Sequence, residues 1–185
     1  MNEYLIKEET LTKITNAVRN KVELGEQMEN YMFYGGYFSL TSLPEGLTSI
    51  GDNAFRDFYN LALTSLPEGL TSIGISAFFG CSNLALTSLP EGLTSIGSSA
   101  FFSCYNLALT SLPEGLTSIG SSAFYGCSNL KNITFKGTPT SIATSAFNFC
   151  TNLATINVPW AEGAVANAPW GATNATINYN YIAEG

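Results

Sequence analysis

The sequence contains no histidine and little charge. Histidine is the usual general base and the usual nitrogen ligand for metals, so its absence removes the commonest catalytic arrangements. Only 11% of the 185 residues are charged, and the formal net charge is −7. No Lys or Arg occurs between Asp57 and Asn129, so the repeats lack the basic surface that binds phosphate backbones. We therefore expect no catalytic residue, no cofactor, no metal and no nucleic-acid partner.

Long apolar runs are also missing. No segment approaches the roughly 18 apolar residues that span a bilayer, so we expect no membrane insertion. The opening MNEYLIKEET has no apolar stretch behind a basic start, and this predicts no signal peptide of the usual kind. Hydrophobic residues nevertheless make up 45% of the sequence, which is enough for a folded domain with a buried core.

Repetition is the dominant feature of the chain. The fourteen residues LALTSLPEGLTSIG occur at 61–74, 84–97 and 107–120. Alignment on the Ala-Phe dipeptide gives five 23-residue units, at 38–60, 61–83, 84–106, 107–129 and 130–152. A fixed period of this size predicts a solenoid, in which each coil buries its apolar face only against its neighbours.

Within a unit, apolar residues recur with Thr and Ser between them, which predicts short extended segments. Leu-Pro-Glu-Gly fits a type I turn with Pro second, so one corner is expected at Pro44, Pro67, Pro90 and Pro113. Another corner, with positive φ or closely approaching coils, is expected at Gly51, Gly74, Gly97 and Gly120. The segment from Ser76 to Cys81 is predicted to form one helical or 3₁₀ turn.

The order Leu, Ile or Leu, Pro, Leu-Thr-Ser-Ile-Gly, Ala-Phe and Cys-x-Asn-Leu resembles the BspA-like, or Treponema-type, leucine-rich repeat family. The fifth unit, LKNITFKGTPTSIATSAFNFCTNL, is the most similar. In units two to four the second apolar residue stands one position earlier, at Leu63, Leu86 and Leu109. The resemblance implies a right-handed leucine-rich-repeat solenoid with a parallel β-sheet on its concave side and short helical turns opposite. It also implies recognition rather than catalysis.

Three polar or reactive columns recur once per unit. The first is Cys81, Cys104, Cys127 and Cys150, where disulfides, a metal site and buried thiols are the alternatives. No second Cys lies two or three residues away, and Phe58 fills the column in unit one, so buried free thiols are predicted. The Asn column, at Asn60, Asn83, Asn106, Asn129 and Asn152, is expected to bond main-chain groups of the adjacent coil. One Glu per coil, at Glu45, Glu68, Glu91 and Glu114, indicates a solvated edge rather than a calcium site or a glycosidase pair.

Two surface columns are candidates for ligand contact. The candidate ligand-binding residues, which we call the first Thr-Ser face, are Thr64, Ser65, Thr87, Ser88, Thr110 and Ser111. Their hydroxyls would lie along the predicted sheet and bind a protein or polysaccharide on a cell surface, although Thr also suits exposed strands by propensity alone. The candidate contact stripe is Phe79, Phe102 and Tyr125, for which packing between coils is the alternative.

The two ends differ from the repeats. Residues 8–22 carry an apolar stripe behind Thr10, which predicts a helical cap or attachment segment within 1–37. The residues leave open whether this helix covers its own solenoid or pairs with a second copy of the chain. The segment 153–185 is predicted to form a C-terminal cap with an irregular loop and a final strand, because Ile177, Tyr179 and Tyr181 alternate with Asn.

The ends also carry a resemblance of their own. The opening Tyr-Leu-Ile-Lys-Glu-Glu-Thr-Leu, followed by Ala-Val-Arg, and the closing PWAEG and APWGATNATINY are similar to segments of prophage-encoded virion structural proteins of Gram-positive bacteria. Together the resemblances imply a non-enzymatic binding or display module, specifically a phage or prophage tail or fibre component that contacts a host surface. The alternative is a BspA-like adhesin at the bacterial cell surface. A spacer without a ligand is the third interpretation, which the near-identity of units two to four favours.

Overall fold

The computed structural model describes residues 42–43 and 46–182. The predicted N-terminal helix at 8–22 lies outside the described residues, as do Pro44 and Glu45. The described chain is a solenoid of parallel strands in two sheets. The strands are β1 Ser49–Ile50, β2 Ser72–Ile73, β3 Ser95–Ile96, β4 Ser111–Leu112, β5 Ser118–Ile119, β6 Asn132–Phe135, β7 Ser141–Ile142, β8 Thr155–Asn157 and β9 Thr176–Asn178.

The first sheet, here the Ser-Ile sheet, contains β1, β2, β3, β5 and β7 in that order. Every pair is parallel, and each residue lies opposite its equivalent one unit later, as Ser72 does with Ser95. The Ile of each strand is buried, whereas the Ser is partly or fully exposed. One 23-residue unit therefore forms one coil, and the predicted stacking of coils is confirmed.

The second sheet contains β4, β6, β8 and β9 and begins only in unit four. Proline explains why it does not extend into units two and three. In the Ser-Ile sheet the residue after Ile donates its N–H to the preceding coil, as Gly97 does to the oxygen of Ile73 at 2.8 Å. The equivalent position on the other side of unit three is Pro90, which has no N–H to donate. In unit five Lys136 takes this place, donates to the oxygen of Leu112 at 3.1 Å, and the two coils pair there.

The spacing of apolar residues sets how long these strands are. In unit five Ile133 and Phe135 alternate with polar residues, both are buried, and β6 runs for 4 residues. In unit three the buried residues Leu86 and Leu89 are three apart. Successive side chains of a strand point to opposite faces, so a regular strand cannot bury both of them. The earlier position of Leu63, Leu86 and Leu109 therefore interrupts the sheet that the family resemblance implied.

The predicted helical turn from Ser76 to Cys81 is wrong. Ser76 and Gly80 have φ values of 53° and 74°, and a helix requires negative φ throughout. Alternate N–H groups donate to the next coil at 2.8–2.9 Å, in the pairs Ser76–Ser98, Phe78–Ala100 and Gly80–Phe102. The segment is a series of turns that joins coils, and the described residues contain no helix.

Both predicted corners exist, but each differs from its prediction. Leu70 donates its N–H to the oxygen of Pro67 at 3.1 Å, so Pro stands first in the turn rather than second. The glycine corner is a close approach of coils without positive φ, since Gly74, Gly97 and Gly120 all lack it. A Cβ atom on Gly97 would lie 2.6 Å from the carbonyl carbon of Gly74.

The core is a stack of identical residues closed by tryptophans. The predicted Phe column is confirmed, with ring centroids 5.1–5.4 Å apart and planes within 9°; its members are Phe55, Phe78, Phe101, Phe124 and Phe147. At the C-terminal end Trp160 and Trp170 are buried beside Phe135. The predicted final strand is present as β9, which pairs with β8.

Candidate functional site

The first Thr-Ser face is exposed, one dipeptide per coil. Five of its six residues are exposed and Ser111 is partly buried. The coils are adjacent along this face, where Thr110 donates its N–H to the oxygen of Thr87 at 3.4 Å. The structure therefore brings the predicted residues into one column. The expectation that they lie along a regular sheet holds only for Ser111, in β4, because no strand forms at the dipeptides of units two and three.

The second Thr-Ser dipeptide of each unit holds the coils together. Thr71, Thr94 and Thr117 each donate two hydrogen bonds to the carbonyl oxygen of the equivalent Thr one coil earlier. The N–H bonds measure 2.8–2.9 Å, and the Oγ1 bonds measure 2.9 Å. The sequence reasoning missed this column, because the same Thr-Ser letters occur twice per unit. The signal that separates the two is the residue after the next apolar position, which is Gly in one case and Pro in the other.

The candidate contact stripe forms a continuous stack. Ring centroids lie 4.6 Å apart for Phe79 and Phe102 and 4.3 Å apart for Phe102 and Tyr125, with planes within 8°. The guanidinium of Arg56 lies 4.4 Å from the centroid of Phe79, and the ring of Phe149 lies 4.8 Å from that of Tyr125. Because the rings cover one another's faces, this geometry supports packing between coils, and a ligand-contact role for the stripe stays a prediction.

The cysteine column is buried and unbridged, as predicted. Each Sγ donates to a Phe carbonyl oxygen of the preceding coil, for example Cys104 to Phe78 at 3.1 Å. Burial raises the pKa of all four thiols, because a thiolate would lose its solvation, and raises the pKa of Cys150 to about 12. Thiols of this kind are neither nucleophiles nor metal ligands at neutral pH.

The acidic and amide columns lie at the surface. Glu68, Glu91 and Glu114 are exposed, and Glu91 forms an ion pair with Lys136 from unit five. Asn129 and Asn152 donate their side-chain amides to oxygens of the adjacent coil, as predicted, although both are exposed. In residues 42–43 and 46–182, no three side chains of His, Cys, Asp or Glu converge as metal ligands. The same residues include no helix long and apolar enough to cross a membrane.

Comparison with known proteins identifies the repeats. The family model described as the BspA type leucine rich repeat region matches residues 26–154, in six copies. The chain belongs to this family. The BspA-type chain is similar to the leucine rich repeat protein of Treponema pallidum, with 29% identity and a TM-score of 0.57 over 77% of this chain and 68% of that protein.

A second solved structure is similar to the BspA-type chain. It is a leucine rich cell surface protein from Faecalibacterium prausnitzii A2-165, with 32% identity and a TM-score of 0.56. The match covers 68% of this chain but only 32% of that protein, so the chain spans about a third of its length. No curated protein matches the chain.

Proposed function

We propose that the chain is a non-enzymatic binding module that recognises a protein or polysaccharide on a cell surface through the first Thr-Ser face. The observation that carries this proposal is the contrast between the two Thr-Ser dipeptides of each unit. The second dipeptide forms the ladder that holds the coils. The first is exposed in every coil and forms no strand in units two and three, although its residues are identical.

The relatives support a surface location. The BspA-type leucine-rich repeat is a non-enzymatic binding scaffold, and the F. prausnitzii relative is described as a cell surface protein. We therefore favour an adhesin-type module at the bacterial surface. A phage or prophage tail component is the second candidate, and the resemblance of the opening and closing segments to virion proteins supports it.

Antibody localisation distinguishes these two carriers. Serum raised against residues 38–152 would be applied to intact cells of the source organism and to particles released after prophage induction. Labelled cell envelopes are expected for the adhesin, whereas labelled particles alone would assign the chain to the virion.

The binding face is tested by a double substitution. Beads coated with the wild-type chain, with T87K/S88K or with A161K/A164K would be applied to a panel of bacterial and epithelial cells. The two alanines are exposed residues of the C-terminal loop, so the second variant controls for added charge and bulk. We expect T87K/S88K to lose at least about tenfold in binding while A161K/A164K binds like the wild type. Equal binding by all three proteins would remove the first Thr-Ser face from the proposal.

A further inference from the structure

Along the first Thr-Ser face the coils are joined by few main-chain hydrogen bonds. Between units two and three the segment 84–89 donates to the preceding coil once, from Ala85 to Leu63 at 3.4 Å. Within the described residues, the N–H groups of Thr87 and Ser88 donate to no other residue. In the Ser-Ile sheet of the same unit, by contrast, Thr94 donates to the preceding coil at 2.8 Å.

These unpaired amides follow from the sequence of the repeat. Pro90 lacks the N–H that would continue the ladder, and the spacing of Leu86 and Leu89 prevents a regular strand. Both features recur in units two, three and four, whereas unit five has Lys136 and alternating apolar residues. Main-chain groups that do not pair within a protein bond either water or a ligand. Units two to four therefore offer main-chain donors beside the hydroxyls of each Thr-Ser dipeptide.

The chemistry of this face restricts the kind of partner. It contains neither aromatic residues nor Arg, which usually anchor a folded protein partner at the centre of an interface. The only charged column of the same units is Glu68, Glu91 and Glu114, and no cation lies between Asp57 and Asn129. Carboxylates at each coil repel polyanions, so acidic polymers are disfavoured.

The face is also periodic. The three dipeptides lie in identical fourteen-residue segments, and adjacent strands in such a fold are about 4.8 Å apart. Equivalent donors and acceptors therefore recur at one-coil spacing, an arrangement that suits a ligand with its own repeating hydroxyl groups.

We propose that units two to four bind an uncharged polysaccharide, whose hydroxyls exchange hydrogen bonds with the unpaired main-chain groups and the Thr and Ser hydroxyls of the first Thr-Ser face. This inference rests on the proposed function and names the ligand class for that face.

Two variants separate the main-chain and side-chain contributions. P90A leaves Thr87 and Ser88 unchanged but supplies the missing N–H, so the coils can pair and the amides are no longer free. T87V/S88A removes the hydroxyls and leaves Pro90 in place. Circular dichroism and thermal unfolding would first show that both variants fold, with P90A expected to melt no lower than about the wild-type temperature because a hydrogen bond is gained.

The deciding measurement is adhesion to cells whose surface has been altered chemically. Target cells that bind wild-type beads would be treated with periodate, which cleaves vicinal diols of sugars, or with proteinase. We expect periodate to abolish binding, proteinase to leave it, and high salt to have little effect, since no charge pairing is involved. We also expect both variants to bind at least about fivefold more weakly than the wild type.

The opposite results would overturn the inference in distinguishable ways. Binding that survives periodate but not proteinase would mean a protein partner, so that the proposed function stands and the polysaccharide does not. Binding that periodate abolishes but high salt also abolishes would mean an acidic polymer. Unchanged binding by folded P90A would exclude the main-chain groups. A wild-type chain that adheres to no cell in the panel would instead remove the proposed function itself.

Discussion

Each buried thiol of the repeat has a polar partner in the coil before it. The Sγ of Cys127 donates to the oxygen of Phe101 at 3.1 Å, and its neighbours repeat the contact one coil away. Burial is the first cause of the raised pKa of this thiol, and the adjacent cysteines raise it further. At the scale of single residues, the cysteines are therefore small apolar side chains with one weak hydrogen bond.

Burial of the thiols predicts how stability depends on pH. The folded pKa values lie above the ordinary value of 9.0, so the unfolded chain loses thiol protons first as the pH rises. The free energy of unfolding should be insensitive to the thiols below about pH 9 and should fall above it, until the folded thiols also ionise. Urea unfolding between about pH 7 and pH 11 measures this, and Cys150→Ala should show a shallower decline. Parallel pH profiles for the two proteins would contradict the assignment.

The threonine ladder predicts a small, specific loss of stability. In Thr94→Val the side chain keeps its shape but loses the Oγ1 bond to the oxygen of Thr71, measured at 2.9 Å. The main-chain N–H still donates to that oxygen, so the expected loss is only about 0.5–1 kcal/mol. Thr94→Ser keeps the hydroxyl and is the control. Urea midpoints that place the Ser variant below the Val variant would argue against the hydroxyl bond.

At the scale of elements, prediction from sequence succeeded where side-chain chemistry fixes a column. The Phe stack follows from strict 23-residue register, because a large apolar ring must be buried against its equivalents. It failed at the turn after Gly74, where the spacing of Phe78 and Cys81 suits a helical turn and other turns equally. The position of Gly80 has positive φ in all five units, but its residues are Asp57, Gly80, Ser103, Gly126 and Phe149. Only the two glycines indicate that conformation.

The candidate site was predictable to a similar extent. Exposure of Thr87 and Ser88 follows from their polarity, and the structure agrees. The interruption of the sheet beneath them depends on a missing N–H at Pro90 and on the phase of Leu86 against Leu89. Hydrogen bonding between coils is a long-range property, so it could be recognised only once the register of neighbouring units was known.

The glycine corner gives the sharpest test of coil spacing. A Cβ on Gly97 would lie 2.6 Å from the carbonyl carbon of Gly74, so Gly97→Ala must push two coils apart. We expect a loss of about 1–3 kcal/mol in the free energy of unfolding. Gly51→Ala is a matched control, because a Cβ there meets nothing within 4 Å. Equal unfolding midpoints for the two variants would show that the coils can separate locally without loss of stability.

At the scale of the whole molecule, the solenoid is nearly one-dimensional. Each coil bonds the coils before and after it, and the Ser-Ile sheet runs through five of them without interruption. The second sheet and the tryptophans Trp160 and Trp170 are confined to the C-terminal coils. The molecule therefore combines a C-terminal part braced by two sheets with repeated coils that carry the first Thr-Ser face. Since units two to four share fourteen identical residues, coils can be added or removed without changing any interface between them.

This organisation predicts that one whole coil can be deleted. Removing residues 84–106 joins Asn83 to Leu107 in the sequence context that every unit has, and it places Phe78 directly against Phe124. We expect a folded protein whose urea m-value falls by about the share of surface that one coil buries, with a modest loss of stability. Removing only residues 84–95 breaks the register of every column and should prevent folding of the repeats. A cooperative transition for the half-coil deletion, or its loss in the whole-coil deletion, would mean that the units are not interchangeable. With two Thr-Ser pairs in place of three, the shortened protein should also adhere more weakly than the full chain, because contacts repeated along a polymer reinforce one another.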